Sequence, residues 1–107
     1  MTEGPTIFTD LATEVEIPQD GTLSRVLYKD EQLRLVVFAF DAGQELTEHT
    51  AVVPAVVQVM RGRLHLTVGA EEVAANPGAW IRLPANAPHS VRALEPSVML
   101  LTMLPGG

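Results

Sequence analysis

The stretch Gly43-Gln44-Glu45-Leu46-Thr47-Glu48-His49-Thr50-Ala51-Val52-Val53-Pro54-Ala55-Val56-Val57-Gln58-Val59-Met60-Arg61-Gly62 is bounded by two turns and broken once in its middle. Asp41-Ala42-Gly43 supplies the first turn, Arg61-Gly62 the second and Pro54 the break. What lies between is of strand length, with no apolar spacing that would sustain a helix. Side chains alternate faces along a strand, so Glu45, Thr47, His49 and Ala51 are expected on one face. Beyond Pro54 the same alternation sets Ala55, Val57 and Val59 together and turns Gln58 away, unless a bulge near Pro54 shifts the register. Val52 to Met60 is apolar at nearly every position, the pattern of a strand covered on both faces.

Working outward, turn signals recur at Asp20-Gly21, Asp30-Glu31, Gly69-Ala70, Asn76-Pro77-Gly78, Pro84 to Pro88 and Glu95-Pro96. Their spacing, roughly 8–12 residues, is that of strands in an all-β domain. Thr13 to Ile17 and Arg63 to Gly69 alternate with period two. About nine or ten short strands in one domain predict an antiparallel sandwich or barrel spanning 1–107. Leu33 to Phe40 and Val98 to Leu104 are also apolar on both faces. That excess predicts a homodimer in which a second copy covers an outer face; the alternative is that the N-terminal arm folds back over its own barrel.

The composition agrees with a packed aliphatic core: 107 residues, 47% hydrophobic, with 13 Val, 13 Leu and 12 Ala against 5% aromatic residues. The absence of Cys excludes disulfides, iron–sulfur clusters, thiolate zinc sites and Cys nucleophiles together. Of the net charge of −6, five acids (Glu3, Asp10, Glu14, Glu16 and Asp20) fall in the first twenty residues with no base among them. Residues 1–12 therefore read as an acidic arm on a nearly neutral body. No basic stripe offers itself to phosphates, so nucleic acid is not an expected partner. No apolar run approaches the roughly 20 residues of a membrane span, and no signal-peptide pattern opens the chain. A cytoplasmic protein without membrane contact is expected.

The quoted stretch resembles the first signature of the cupin superfamily, G(X)5HXH(X)3-4E(X)6G, with Gly43, His49 and Gly62 in register. Gly78-Ala79-Trp80-Ile81-Arg82-Leu83-Pro84-Ala85-Asn86-Ala87-Pro88-His89 resembles the second, G(X)5PXG(X)2H(X)3N, through Gly78, Pro84 and His89. The resemblance covers about residues 33–104 and implies a jelly-roll β-barrel. It also implies a metal site built from two histidines and a glutamate of the first signature and a histidine of the second. Carried over by position, only His49 and His89 remain; Ala51 and Ala55 occupy the other two slots, and Ala93 replaces the terminal Asn.

Three functions are consistent with these residues. In the first, His49 and His89 hold a divalent transition metal (iron, manganese, nickel or zinc), with Gln58, Thr47 or Glu45 adding an oxygen, in a dioxygenase or isomerase. The second is a metal-free module binding a small organic molecule in a pocket walled by Thr47, Ala51, Ala55 and Trp80. The third is metal-free acid–base isomerisation or epimerisation by a histidine. His65 shares a strand with Leu64, Leu66 and Val68 but takes the opposite parity, so it is expected outside. Ser90 follows His89 directly and faces the other way, which disfavours a Ser nucleophile.

Overall fold

Nine antiparallel strands carry the fold of the computed structural model, which describes residues 3–106; Met1, Thr2 and Gly107, parts of the expected arm and domain, lie outside the described residues. The strands are β1 (Thr22–Lys29), β2 (Arg34–Phe40), β3 (Glu45–His49), β4 (Ala55–Arg61), β5 (Leu64–Val68), β6 (Glu71–Ala75), β7 (Trp80–Leu83), β8 (His89–Ala93) and β9 (Ser97–Met103). They form a five-stranded sheet in the order β1-β2-β9-β4-β7 and a four-stranded sheet in the order β3-β8-β5-β6. The all-β jelly-roll expectation is met. Among the described residues no helix is long and apolar enough to cross a membrane.

The two sheets face each other across a core made by every second residue of their strands. Phe40, Val57, Val59 and Met99 of the larger sheet meet Leu64, Leu66, Val91 and Ala93 of the smaller. Period-two alternation dictates this inner layer, and each fully buried Val or Leu contributes roughly 1.5–3 kcal/mol of transfer free energy. Gly62 joins β4 to β5 at φ +83°, where a Cβ would collide with the Ser97 hydroxyl and the Pro96 carbonyl. Ser97, fully buried, accepts from the Arg63 N–H at 3.0 Å and donates towards the Glu95 carbonyl at 2.7 Å, holding this corner closed.

A second apolar layer lies on the outer face of the larger sheet, where Val37, Ala39, Val98 and Leu100 are buried. Residues 11–17 of the same chain cover it, with Leu11, Val15 and Ile17 packed against these four. This segment and the turn that follows it are fastened by polar contacts: Arg25 Nη1 donates to the Glu14 carbonyl at 2.9 Å, and the Asp20 N–H donates to Asp41 Oδ2 at 2.8 Å. Much of the cover expected from a second copy is thus supplied within the chain. The doubly apolar strands β2 and β9 are covered on both faces, and over these four residues an N-terminal segment is the cover.

Candidate functional site

His49 and His89 stand opposite each other at the ends of β3 and β8. The β3–β8 ladder pairs Glu45 with Arg92 and Leu46 with Val91, then shifts by one residue before pairing His49 with His89. Two residues of β3, Thr47 and Glu48, therefore stand against Ser90 alone, the signature of a β-bulge. The bulge corrects the expected parity. Leu46, not Glu45 or Thr47, shares the barrel-facing side with His49, because one extra residue between them reverses the alternation.

The imidazoles meet edge to face, their centroids 4.1 Å apart and their planes at 66°. Nε2 of His49 lies 2.9 Å from Nε2 of His89. Each Nδ1 is tied to the carbonyl two residues back: His49 to Thr47 at 2.9 Å and His89 to Ala87 at 3.1 Å. A carbonyl oxygen only accepts, so each Nδ1 carries a proton in these bonds. The contact between the Nε2 atoms then needs a proton of its own. All three bonds are made when the pair holds three protons on four nitrogens, which is one positive charge shared by two rings. Burial of His89 (8% exposed) pushes its pKa below the ordinary 6.5; the bond to Ala87 opposes this, and the charge of His49 reinforces it. Burial thus works against placing the charge of the pair on the ring of His89.

The neighbouring turn sets the angle of His89. Asn86 takes φ +66°, the left-handed backbone for which the signature has Gly and which Asn tolerates better than most residues. Its N–H donates to the Ala51 carbonyl at 2.7 Å, and the Ala87 N–H donates to Pro84 at 3.2 Å. The Ala87 carbonyl is thereby fixed towards His89 while the turn is tied to the β3–β4 connection.

Behind the imidazoles lies a cavity of about 20 Å³, walled by Phe38, Leu46, Val57, Leu66, Leu83 and Met99 among others. That is room for about one water or one small polar group. Apart from the two imidazoles every wall is apolar.

The remaining sequence candidates lie elsewhere. Gln58 pairs with Leu100 and Trp80 on the outer face of the larger sheet, because no register shift occurs between Ala55 and Gln58. This corrects the expectation that it donates an oxygen to the histidines. Trp80 is 60% exposed on that same face, which corrects its place as a pocket wall. Ala55 is buried in the inner layer opposite Leu83 and Met103, and Ala51 sits at the rim against Asn86; neither lines the cavity. Thr47 contributes through its carbonyl, with its residue exposed. His65 points outward, 3.5 Å from Glu72 across the β5–β6 hairpin. Sequence parity missed Leu46 and the two carbonyl anchors. The available signal was Leu46 itself, an apolar residue three positions before His49, an offset that only a bulge can bring to one face.

A family model described as "Cupin domain" matches residues 36–104. No curated protein matches the chain. Among solved structures, a conserved protein of unknown function from Streptococcus pyogenes is 34% identical, with 99% of this chain and 92% of that one covered and a TM-score of 0.85. An RmlC-like cupin protein from Desulfovibrio desulfuricans is 26% identical, covering 94% and 98%, with a TM-score of 0.83. A salicylate 1,2-dioxygenase from Pseudoaminobacter salicylatoxidans, solved as adducts with gentisate, shares the fold at 19% identity over 78% of this chain and 25% of that one, TM-score 0.74.

Proposed function

The chain belongs to the cupin family, and from that premise we propose that it binds a small organic molecule at the mouth of its barrel through the imidazoles of His49 and His89. The observation that carries this reading is the pinned pair: two rings, each anchored on a backbone carbonyl, meet at 2.9 Å over an apolar cavity. Preset rings lose little freedom on binding, which favours recognition. A ligand that suits them carries a carbonyl or carboxylate oxygen, which would accept an imidazole N–H in place of the bond between the two rings. The cavity admits only a small group of that ligand, so its body rests against the rim at Ala51 and Asn86.

The donor set does not suit a resident metal of the kind the family pattern implies. Two imidazole nitrogens converge, whereas catalytic divalent ions ordinarily take three protein ligands. Ala51 and Ala55 bring no donor atom, and Gln58 faces the other side of its sheet. A metal-dependent dioxygenase or isomerase on this chain would need its further donors from outside these side chains. Acid–base isomerisation is a second reading, favoured by the lowered pKa of His89, which keeps its Nε2 available as a base near neutral pH.

The test is a thermal-shift screen of small carboxylates and carbonyl compounds, run with and without a strong chelator. Stabilisation that survives chelation and disappears in H49A/H89A supports the proposal. Stabilisation that persists in the double variant, or none from either class of compound, overturns it.

A further inference from the structure

The four positions at which the family pattern sets metal donors are His49, Ala51, Ala55 and His89, and two of the four carry no donor atom. The surrounding chain does not make up the deficit. The bulge at Thr47 and Glu48 leaves Leu46 as the residue that shares the side of His49, and Glu45 and Glu48 are exposed. Among the described residues no three His, Asp or Glu side chains gather where they would hold an ion. The two Nε2 atoms converge, but every other residue lining the cavity beside them is apolar and adds no side-chain donor.

We infer that His49 and His89 form a metal-independent clamp, and that Ala51 and Ala55 are the residues that make it one. Ala55 lies in the inward row of β4 with Val57 and Val59, so a carboxylate at this position would project into the barrel. Ala51 lies two residues beyond His49, with its carbonyl bonded to the turn that fixes His89. An imidazole at position 51 would therefore stand two residues along the chain from His49 and next to the turn that fixes His89, outside the buried core rows. Loss of both donors turns a four-donor centre into two nitrogens on an apolar floor. The inference concerns the same site as the proposed ligand binding but stands on the donor count and strand register alone.

The experiment loads wild-type protein, H49A/H89A, A51H and A51H/A55E with Zn²⁺, Ni²⁺, Mn²⁺ or, without oxygen, Fe²⁺. Metal retained after desalting is measured by elemental analysis, and Zn²⁺ and Ni²⁺ affinities are measured by calorimetry. Wild-type protein is expected to retain no stoichiometric metal and to bind no more tightly than H49A/H89A. A51H is expected to gain on the order of tenfold or more in affinity, since even changes around metal ligands alter affinity by about 10–100-fold. Because A55E puts a carboxylate in a buried apolar row and can unfold the chain, A51H decides the outcome, with circular dichroism confirming its fold. One equivalent of metal held by wild-type protein and lost in H49A/H89A overturns the inference. So does a folded A51H that gains no affinity. If these metal results come out as expected while the ligand screen fails, the proposed binding falls and the metal-independent pair stands.

Discussion

His49 Nε2 lies 2.9 Å from His89 Nε2, although the two residues are 40 positions apart in the chain. The β3–β8 ladder brings them opposite each other, and the bulge in β3 turns His49 into the barrel. The rings differ in environment: His89 is buried and His49 exposed. One ring is therefore part of the packed wall and the other meets solvent.

That asymmetry predicts unequal effects of substitution. H89A removes the partner of His49 and the bond to the Ala87 carbonyl, and opens a gap in a buried wall. A loss of about 1–3 kcal/mol in unfolding free energy is expected from the hydrogen bonds and packing together. H49A, at an exposed ring, should cost under about 1 kcal/mol while abolishing ligand binding equally. Chemical denaturation of both variants checks this; equal destabilisation would contradict the asymmetry.

The pH dependence follows from the lowered pKa of His89. Between that lowered value and the ordinary 6.5, the unfolded chain binds a proton at His89 that the folded chain does not. The contribution of His89 is therefore fully present above 6.5 and is lost as pH falls through the folded value. Denaturation midpoints of wild-type protein should decline on acidification through this range, with a shallower decline in H89Q. Parallel curves for the two proteins would show that His89 does not carry the effect.

At the β4–β5 corner, G62A is expected to destabilise the chain strongly. The Cβ meets Ser97 and Pro96 backbone and side-chain atoms, and φ +83° adds strain of about 1–3 kcal/mol on its own. G43A, at φ +81° with nothing within 4 Å, carries the strain without the collision and should cost less. Thermal melts of the pair separate the two effects; equal losses would mean that the collision relaxes at no cost.

The N-terminal cover is tested by V15D. Val15 is 9% exposed over Val37, Ala39, Val98 and Leu100. A carboxylate there forfeits roughly 1.5–3 kcal/mol of apolar burial and exposes the outer layer. A lower melting temperature with increased self-association in sedimentation is expected. Unchanged stability would mean that residues 11–17 contribute little to the sheet they cover.

Trp80 gives a control for the location of the ligand. On the outer face and 60% exposed, it should report nothing of a molecule at the barrel mouth. W80A should leave ligand affinity within about twofold, as surface substitutions away from a site usually do. A larger loss would place the ligand on the outer face.

Turn spacing and period-two alternation were enough to specify an antiparallel all-β chain, and Gly43, His49, Gly62, Gly78, Pro84 and His89 were enough to mark the family. These are local signals, since a turn residue or an alternating strand is dictated by neighbours in sequence. The inner row of β4 and the outward parity of His65 were legible for the same reason. The side of β3 that faces the barrel was not. It depends on one extra residue opposite Ser90, a register set by pairing with a strand 40 residues away, and a shift of one residue exchanges the two faces. The cover over β2 and β9 was likewise open in sequence, because apolarity on both faces shows that something packs there without saying which segment. Only the tertiary structure assigns it to Leu11, Val15 and Ile17, through contacts between residues that no local pattern connects.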